Sequence, residues 1–89
     1  MSYETSTLQS VSYEGNIVAS WMFLWTIDSK NVGIIHLDSF GDINGHKTLS
    51  RESAQSLYRS LRKKGASKVP SSEYLPCYKQ TIDWLLERM

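Results

Sequence analysis

The side chains that could carry chemistry are concentrated in the stretch HLDSFGDINGHKTLS, residues 36–50, and at one cysteine, Cys77. The stretch supplies two imidazoles and two carboxylates, and the cysteine supplies a thiol. Such groups either bind metals or act as nucleophile, base and orienting acid in a hydrolase. Their spacing decides between these two chemistries.

A calcium site is the first chemistry to consider, because Asp42 and Asn44 match the first two oxygen positions of a calcium-binding loop. Leu49 and Ser50 also fit, but three decisive positions fail. His46 offers nitrogen where a hard cation needs oxygen, Lys47 stands where the sharp turn requires glycine, and Ser53 replaces the bidentate acid. Zinc is not expected either, because the spacing of His36, Asp38, His46 and Cys77 matches no compact ligand motif. The sequence therefore predicts neither a metal site nor a cofactor, and it predicts a turn followed by a helix cap.

A second pattern starts at Trp21 and reads WMFLWTID, a turn, and IIHLDSFGDIN. It resembles the catalytic segment of the SUMO-specific cysteine proteases, which act on ubiquitin-like proteins. In that family a His-Trp pair opens one strand, the next strand ends in Asp-Ser-x-Gly-x-Ile-Asn, and a nucleophilic cysteine begins a later helix. The resemblance covers residues 17–89. It implies that Asp38 is the orienting acid and Cys77 the nucleophile.

The chain departs from the family at several positions. Ser20 stands before Trp21, where the catalytic histidine is expected, and a serine cannot act as a base near neutral pH. The residues that flank Cys77 are Pro76 and Tyr78, in place of the family's Asp and Gly. The amino-terminal part of the protease domain is also missing. The resemblance therefore implies a truncated, non-catalytic relative that binds a ubiquitin-like protein, if it binds at all.

The distribution of charge suggests another function. Residues 1–46 contain five acidic residues and one basic residue, whereas residues 47–89 contain nine basic and four acidic residues. A protein-interaction module could bind an acidic protein surface through the basic residues near the end of the first predicted helix: Arg59, Arg62, Lys63, Lys64 and Lys68. No aromatic residues interleave with them, so nucleic acid is not expected as a partner. A fragmentary or newly arisen protein without a defined activity is a third hypothesis.

The elements that must position these residues can be predicted from periodicity. Ile17–Ile27 is apolar on both faces of a strand and predicts a central strand, and Val32–Leu37 predicts its antiparallel partner. Trp21, Phe23 and Trp25 share one face of the central strand and could form an aromatic ligand-binding face, but their alternate spacing favours core packing. Residues 38–47 predict a loop. Thr48 or Ser50 can cap a helix that ends near Lys64, and its buried stripe is Ala54, Leu57, Tyr58 and Leu61.

Residues 66–75 predict a second loop, and Pro76 can open a last helix. The apolar stripe of that helix is Tyr78, Ile82, Leu85, Leu86 and Met89. The predicted fold is a small α+β domain over residues 1–89, with an antiparallel hairpin or sheet followed by two helices. Residues 1–16 are expected to be poorly ordered or to form a weak edge strand.

Cysteine content and hydropathy suggest the compartment. A single cysteine excludes an intrachain disulfide, and the longest apolar run is about half the roughly 20 residues of a membrane helix. An intracellular protein, cytoplasmic or nuclear and without a membrane partner, is therefore expected. A long apolar strand in an incomplete sheet could also pair with a second copy of the chain through an open edge.

Overall fold

The computed structural model describes residues 3–27, 30–71 and 77–89. Its elements, in chain order, are β1 (Tyr3–Val11), β2 (Ile17–Thr26), β3 (Asn31–Leu37), β4 (Ile43–Ser50), α1 (Arg51–Lys63), β5 (Ser67–Val69) and α2 (Lys79–Arg88). The strands form one antiparallel sheet in the order β4-β3-β2-β1-β5. The predicted α+β class is confirmed.

Strand β2 is the centre of the sheet, as its apolar pattern predicts. Successive side chains of a strand point to opposite faces, so the two faces of β2 contribute to two separate cores. Phe23 belongs to the core that includes Ala54 and Leu61 of α1, and Met22 and Leu24 belong to the core beneath α2. The two helices therefore cover opposite faces of the sheet.

Helix α1 begins and ends where its capping residues predict. Ser50 is the N-cap, and its hydroxyl accepts a hydrogen bond from the backbone N–H of Ser53 at 3.2 Å. Thr48, the alternative cap, lies within β4. Gly65 follows the helix with φ of +99°, a conformation that favours glycine. The cap sets where α1 begins, and the buried stripe packs the helix on the core that β2 and β3 share.

Helix α2 packs against the other face through Ile82 and Leu85, which are both 2% exposed. It begins at Lys79, and the predicted start at Pro76 lies outside the described residues. The hydroxyl of Tyr78 donates a hydrogen bond to the carbonyl of Gly41. This bond connects the residue that precedes α2 to the turn between β3 and β4.

The expectation of poor order or a weak edge strand in residues 1–16 is wrong for Tyr3–Val11, because β1 is an internal strand. It pairs with β2 along its whole length, and residues Thr7 to Gln9 also pair with β5 on the other side. Strand β5 itself lies in residues 66–75, which were predicted as loop. Composition gave a weak signal because only Thr7 and Leu8 of β1 are buried. The stability of this strand comes from pairing with its neighbours.

The predicted loop over residues 38–47 is too long. Only the tight turn at 38–42 is irregular, and Ile43–Ser50 forms β4 at the edge of the sheet. Asn44, Gly45 and Lys47 are typical of loops, but an edge strand needs little apolar character because most of its side chains face solvent. Pairing with β3 therefore determines this element.

Candidate functional site

Asp38, the predicted orienting acid, holds together the turn between β3 and β4. Its Oδ1 accepts hydrogen bonds from the backbone N–H groups of Phe40 at 2.9 Å and Asp42 at 3.0 Å. Gly41 completes the turn with φ of +84° and donates its N–H to the carbonyl of Asp38. The carboxylate thus has a structural task in the turn, and its catalytic role stays a prediction.

Cys77, the predicted nucleophile, is exposed and lies two residues before the first residue of α2. It lines an open depression of about 510 Å³ together with the turn residues Gly41, Asp42 and Ile43 and the start of α2. The structure therefore brings the thiol to the turn that Asp38 organises. The carboxylate that lines the same depression is that of Asp42.

Ser20 and Trp21 lie on opposite faces of β2. Ser20 pairs with Leu37 and is 3% exposed, on the face that α2 covers. Trp21 pairs with His36 on the face of α1, and the two rings are stacked with centroids 5.3 Å apart. A histidine in place of Ser20 would have to fit into the packed second core.

Neither histidine lines the depression at Cys77. His46 lies on β4 and meets the ring of Trp84 of α2 edge to face, at a centroid distance of 4.9 Å. Among residues 3–27, 30–71 and 77–89, no three His, Cys, Asp or Glu side chains form a group that could hold a metal ion. Residues 43–50, the middle of the calcium pattern, are strand.

The predicted basic cluster is present near the end of α1. Arg59, Lys63, Lys64 and Lys68 are exposed. Arg62 is partly engaged, because its guanidinium donates to the carbonyl of Ala66 at 3.0 Å. Lys68 lies opposite Leu8 in the pairing of β5 with β1, and it therefore shares the sheet face that α1 covers. Helix and strand thus both present positive charge at this end.

Next to this cluster, α1 and the sheet enclose a groove that the sequence did not predict. We call it the α1–β1 groove. It has a volume of about 550 Å³, and its aromatic and cationic lining consists of Trp25, Tyr58, Arg51 and Arg59. Gln55, Ser6 and Glu4 line the rest. The guanidinium of Arg51 donates to the carbonyl of Thr26, which anchors this arginine at one end of the groove.

The aromatic wall of the groove is fixed by ring packing. Phe23 and Trp25 stack with centroids 5.5 Å apart and an angle of 9° between their planes. Tyr58 meets both rings edge to face, at 5.4 Å from Phe23 and 6.2 Å from Trp25. Such contacts stabilise each ring beyond the burial of its area. Trp25 and Tyr58 stay partly exposed and can therefore contact a ligand from a rigid base.

The guanidinium of Arg59 forms no hydrogen bond or ion pair with another described residue. Sequence reasoning missed this site because it assigned Trp25 and Tyr58 to the core. The spacing of Arg51, Gln55 and Arg59 at intervals of four residues was the available signal, since it places all three on one flank of the helix.

No family model, no curated protein and no solved structure matches this chain. The site is therefore interpreted from its own residues. Within the described part of the chain, no helix has the length and apolar character needed to cross a membrane.

Proposed function

We propose that the chain is a non-catalytic protein-interaction module that binds an acidic segment of a partner protein in the α1–β1 groove. The observation that carries the proposal is the convergence of Trp25, Tyr58, Arg51 and Arg59 on one open groove. Tryptophan, tyrosine and arginine are the residue types most enriched among those that dominate binding energy at protein interfaces. An acidic partner follows from charge complementarity with the two arginines and the adjacent basic cluster.

The flank of α1 also sets the length of the segment. Arg51 and Arg59 line the groove from one flank of the helix, and the distance between their positions along the axis is roughly 12 Å at the rise of an α-helix. An extended chain covers that distance with about four residues. Acidic side chains at its two ends would reach the two ends of the groove, and an apolar side chain between them would contact Trp25.

Glu4 gives the groove a means of discrimination. It is the one described acidic residue in the lining, and it lies opposite Trp25 in the pairing of β1 with β2. Uniformly acidic segments are repelled at this position, whereas a segment with a neutral or basic residue there is accepted. A ubiquitin-like protein is one candidate partner, by the resemblance of residues 17–89 to the SUMO proteases. An intracellular location is consistent with the exposed Cys77 thiol, because reducing compartments preserve such thiols.

The first experiment is a selection from a random peptide library displayed on phage, with the folded chain as bait. We expect enriched peptides to carry Asp or Glu at two positions separated by an apolar residue. The best peptide is then labelled with fluorescein and titrated by fluorescence anisotropy. Its affinity should fall as salt is raised, because the paired charges are screened.

Charge reversal in the groove provides the decisive comparison. Arg59→Glu should lower the affinity for the labelled peptide by at least about tenfold. Lys79→Glu is the matched control, because it changes the net charge equally at the exposed first residue of α2, where an acidic side chain suits the helix dipole. Equal weakening by both variants, or selected peptides without acidic residues, would contradict the proposal.

A further inference from the structure

A smaller and more enclosed cavity lies on the other flank of α1, beside β4. Its volume is about 270 Å³, and its lining includes Trp21, Ile34, His36, Lys47 and Leu57. Gly45, opposite His36 in the strand pairing, also lines it. A Cβ added to Gly45 would meet no atom within 4 Å. The missing side chain therefore keeps the cavity open at the sheet edge.

The polar side chains that line this cavity are those of His36, His46 and Lys47, and the ammonium of Lys47 carries a positive charge. Within the described chain, the ammonium of Lys47 forms no hydrogen bond or ion pair, and no acidic side chain lines the cavity. The side-chain amide nitrogen of Asn44 lies 3.5 Å from Nδ1 of His36. When this amide donates to Nδ1, Nε2 carries the proton and acts as a donor towards the cavity.

The apolar part of the lining determines the size and the apolar character of the body of the ligand. Ile34 is 2% exposed and forms a floor, while Leu57 and the ring of Trp21 form two walls. An apolar cavity of about 150 Å³ holds benzene, so the present volume suits a ligand of about ten non-hydrogen atoms. The one lysine of the lining, Lys47, would bind the anionic group of a ligand as a point charge, without the paired geometry that arginine imposes.

The geometry points to a binding site for a small monocarboxylate with an apolar body, in the cavity between β4 and α1. The apolar body lies on Ile34 between Trp21 and Leu57, and the carboxylate accepts hydrogen bonds from Lys47 and His36. This site is separate from the α1–β1 groove, because the two depressions share no lining residue. Its existence does not depend on the function proposed above.

The test is a titration of the isotope-labelled chain with 3-phenylpropionate, indole-3-acetate and hexanoate, followed by amide chemical shifts. We expect saturable shifts at Gly45, His36 and Lys47 and at the indole N–H of Trp21. The neutral amide of the best ligand should bind about fivefold more weakly, since it lacks the charge that meets Lys47. Absence of saturable shifts with all three acids, or shifts confined to other residues, would overturn the proposal.

Gly45→Val is the blocking variant. Its side chain enters the cavity, and valine suits a strand, so the variant should fold and lose at least about tenfold in affinity. Thr48→Val is the matched control, because the same side chain is placed on the other face of β4, and its affinity should be unchanged. If Gly45→Val raises or preserves affinity while it melts as the native chain does, the ligand does not occupy this cavity.

Discussion

Trp21 and Trp25 are two copies of one side chain on one face of one strand, yet they serve different surfaces. Phe23 lies between them and is completely buried beneath α1. Trp21 emerges beside Leu57 in the cavity at β4, and Trp25 emerges beside Tyr58 in the α1–β1 groove. The packing of α1 on the sheet thus gives the aromatic row a buried centre and two partly exposed ends.

The difference between the two ends lies in what α1 places beside each tryptophan. On the flank towards β1, the helix contributes Arg51 and Arg59, and the depression is wide and open. On the flank towards β4, it contributes Leu57, and the strand contributes one cation, Lys47. Long charged side chains suit an extended partner, whereas a short apolar enclosure suits a small molecule.

The largest effect is expected at the shared centre. Phe23→Ala should lower the free energy of unfolding by about 3–5 kcal/mol, because a buried ring is removed from a packed core. Both proposed binding activities should weaken together, since both tryptophans pack against the core cluster that contains Phe23. Chemical denaturation measures the stability, and Phe23→Leu, with a smaller loss, keeps the binding measurements possible. Loss of only one activity would contradict the shared support.

Separate replacement of the two tryptophans tests whether the surfaces are independent. Trp25→Leu should lower the affinity for the acidic peptide by about tenfold and leave the affinity for the carboxylate unchanged. Trp21→Leu should lower the affinity for the carboxylate and leave that for the peptide unchanged. Both tryptophans are partly exposed, so leucine retains enough apolar contact for folding. Fluorescence anisotropy and amide shifts measure the two affinities. If either variant lowers the affinities for both ligands equally, the two depressions behave as one site.

Loss of the N-cap of α1 should have a smaller effect on stability, although α1 borders both the groove and the cavity. Ser50→Ala removes the acceptor for the N–H of Ser53 and should cost about 1 kcal/mol in the free energy of unfolding. Ser50→Asp retains an acceptor and serves as the control. Thermal melting distinguishes them, and the cap has no role at α1 if the alanine and aspartate variants melt at the same temperature.

The smallest effect is expected on the opposite face, at the turn of Asp38. Asp38→Asn retains an oxygen for the N–H groups of Phe40 and Asp42, so stability should change by less than about 0.5 kcal/mol. The rate at which iodoacetamide alkylates Cys77 should also stay unchanged, because the carboxylate acts in the turn. A large fall in that rate would favour the protease-like assignment of Asp38 and Cys77.

Strong periodicity predicted the structure well. The central position of β2, its pairing with β3 and the stripe of α1 each follow from apolar residues at one spacing. The N-cap at Ser50 was equally readable, because its hydroxyl acts within one turn of chain. The edges of the sheet could not be predicted in this way. The residues of β4 and β5 are mostly polar, and they adopt strand structure through pairing with distant segments.

The candidate sites were less predictable than the fold. Arg59 was identified from charge alone, as one of the basic residues near the end of the helix. Its aromatic neighbours were not, because Trp25 and Tyr58 are 33 positions apart and each looked like a core residue of its own element. Asp38 was identified as the important carboxylate, but its hydrogen bonds give it a role in the turn.

By itself, the sequence determined the local structure: which segments alternate, where α1 is capped and where the positive charge accumulates. These properties depend on neighbours within a few positions. Only the tertiary structure decided that α1 covers Phe23 and leaves Trp21 and Trp25 partly exposed, and that Gly45 opens a cavity at the sheet edge. The physical reason is that a binding surface requires side chains from distant segments at one place, and the packing of helix on sheet sets that placement.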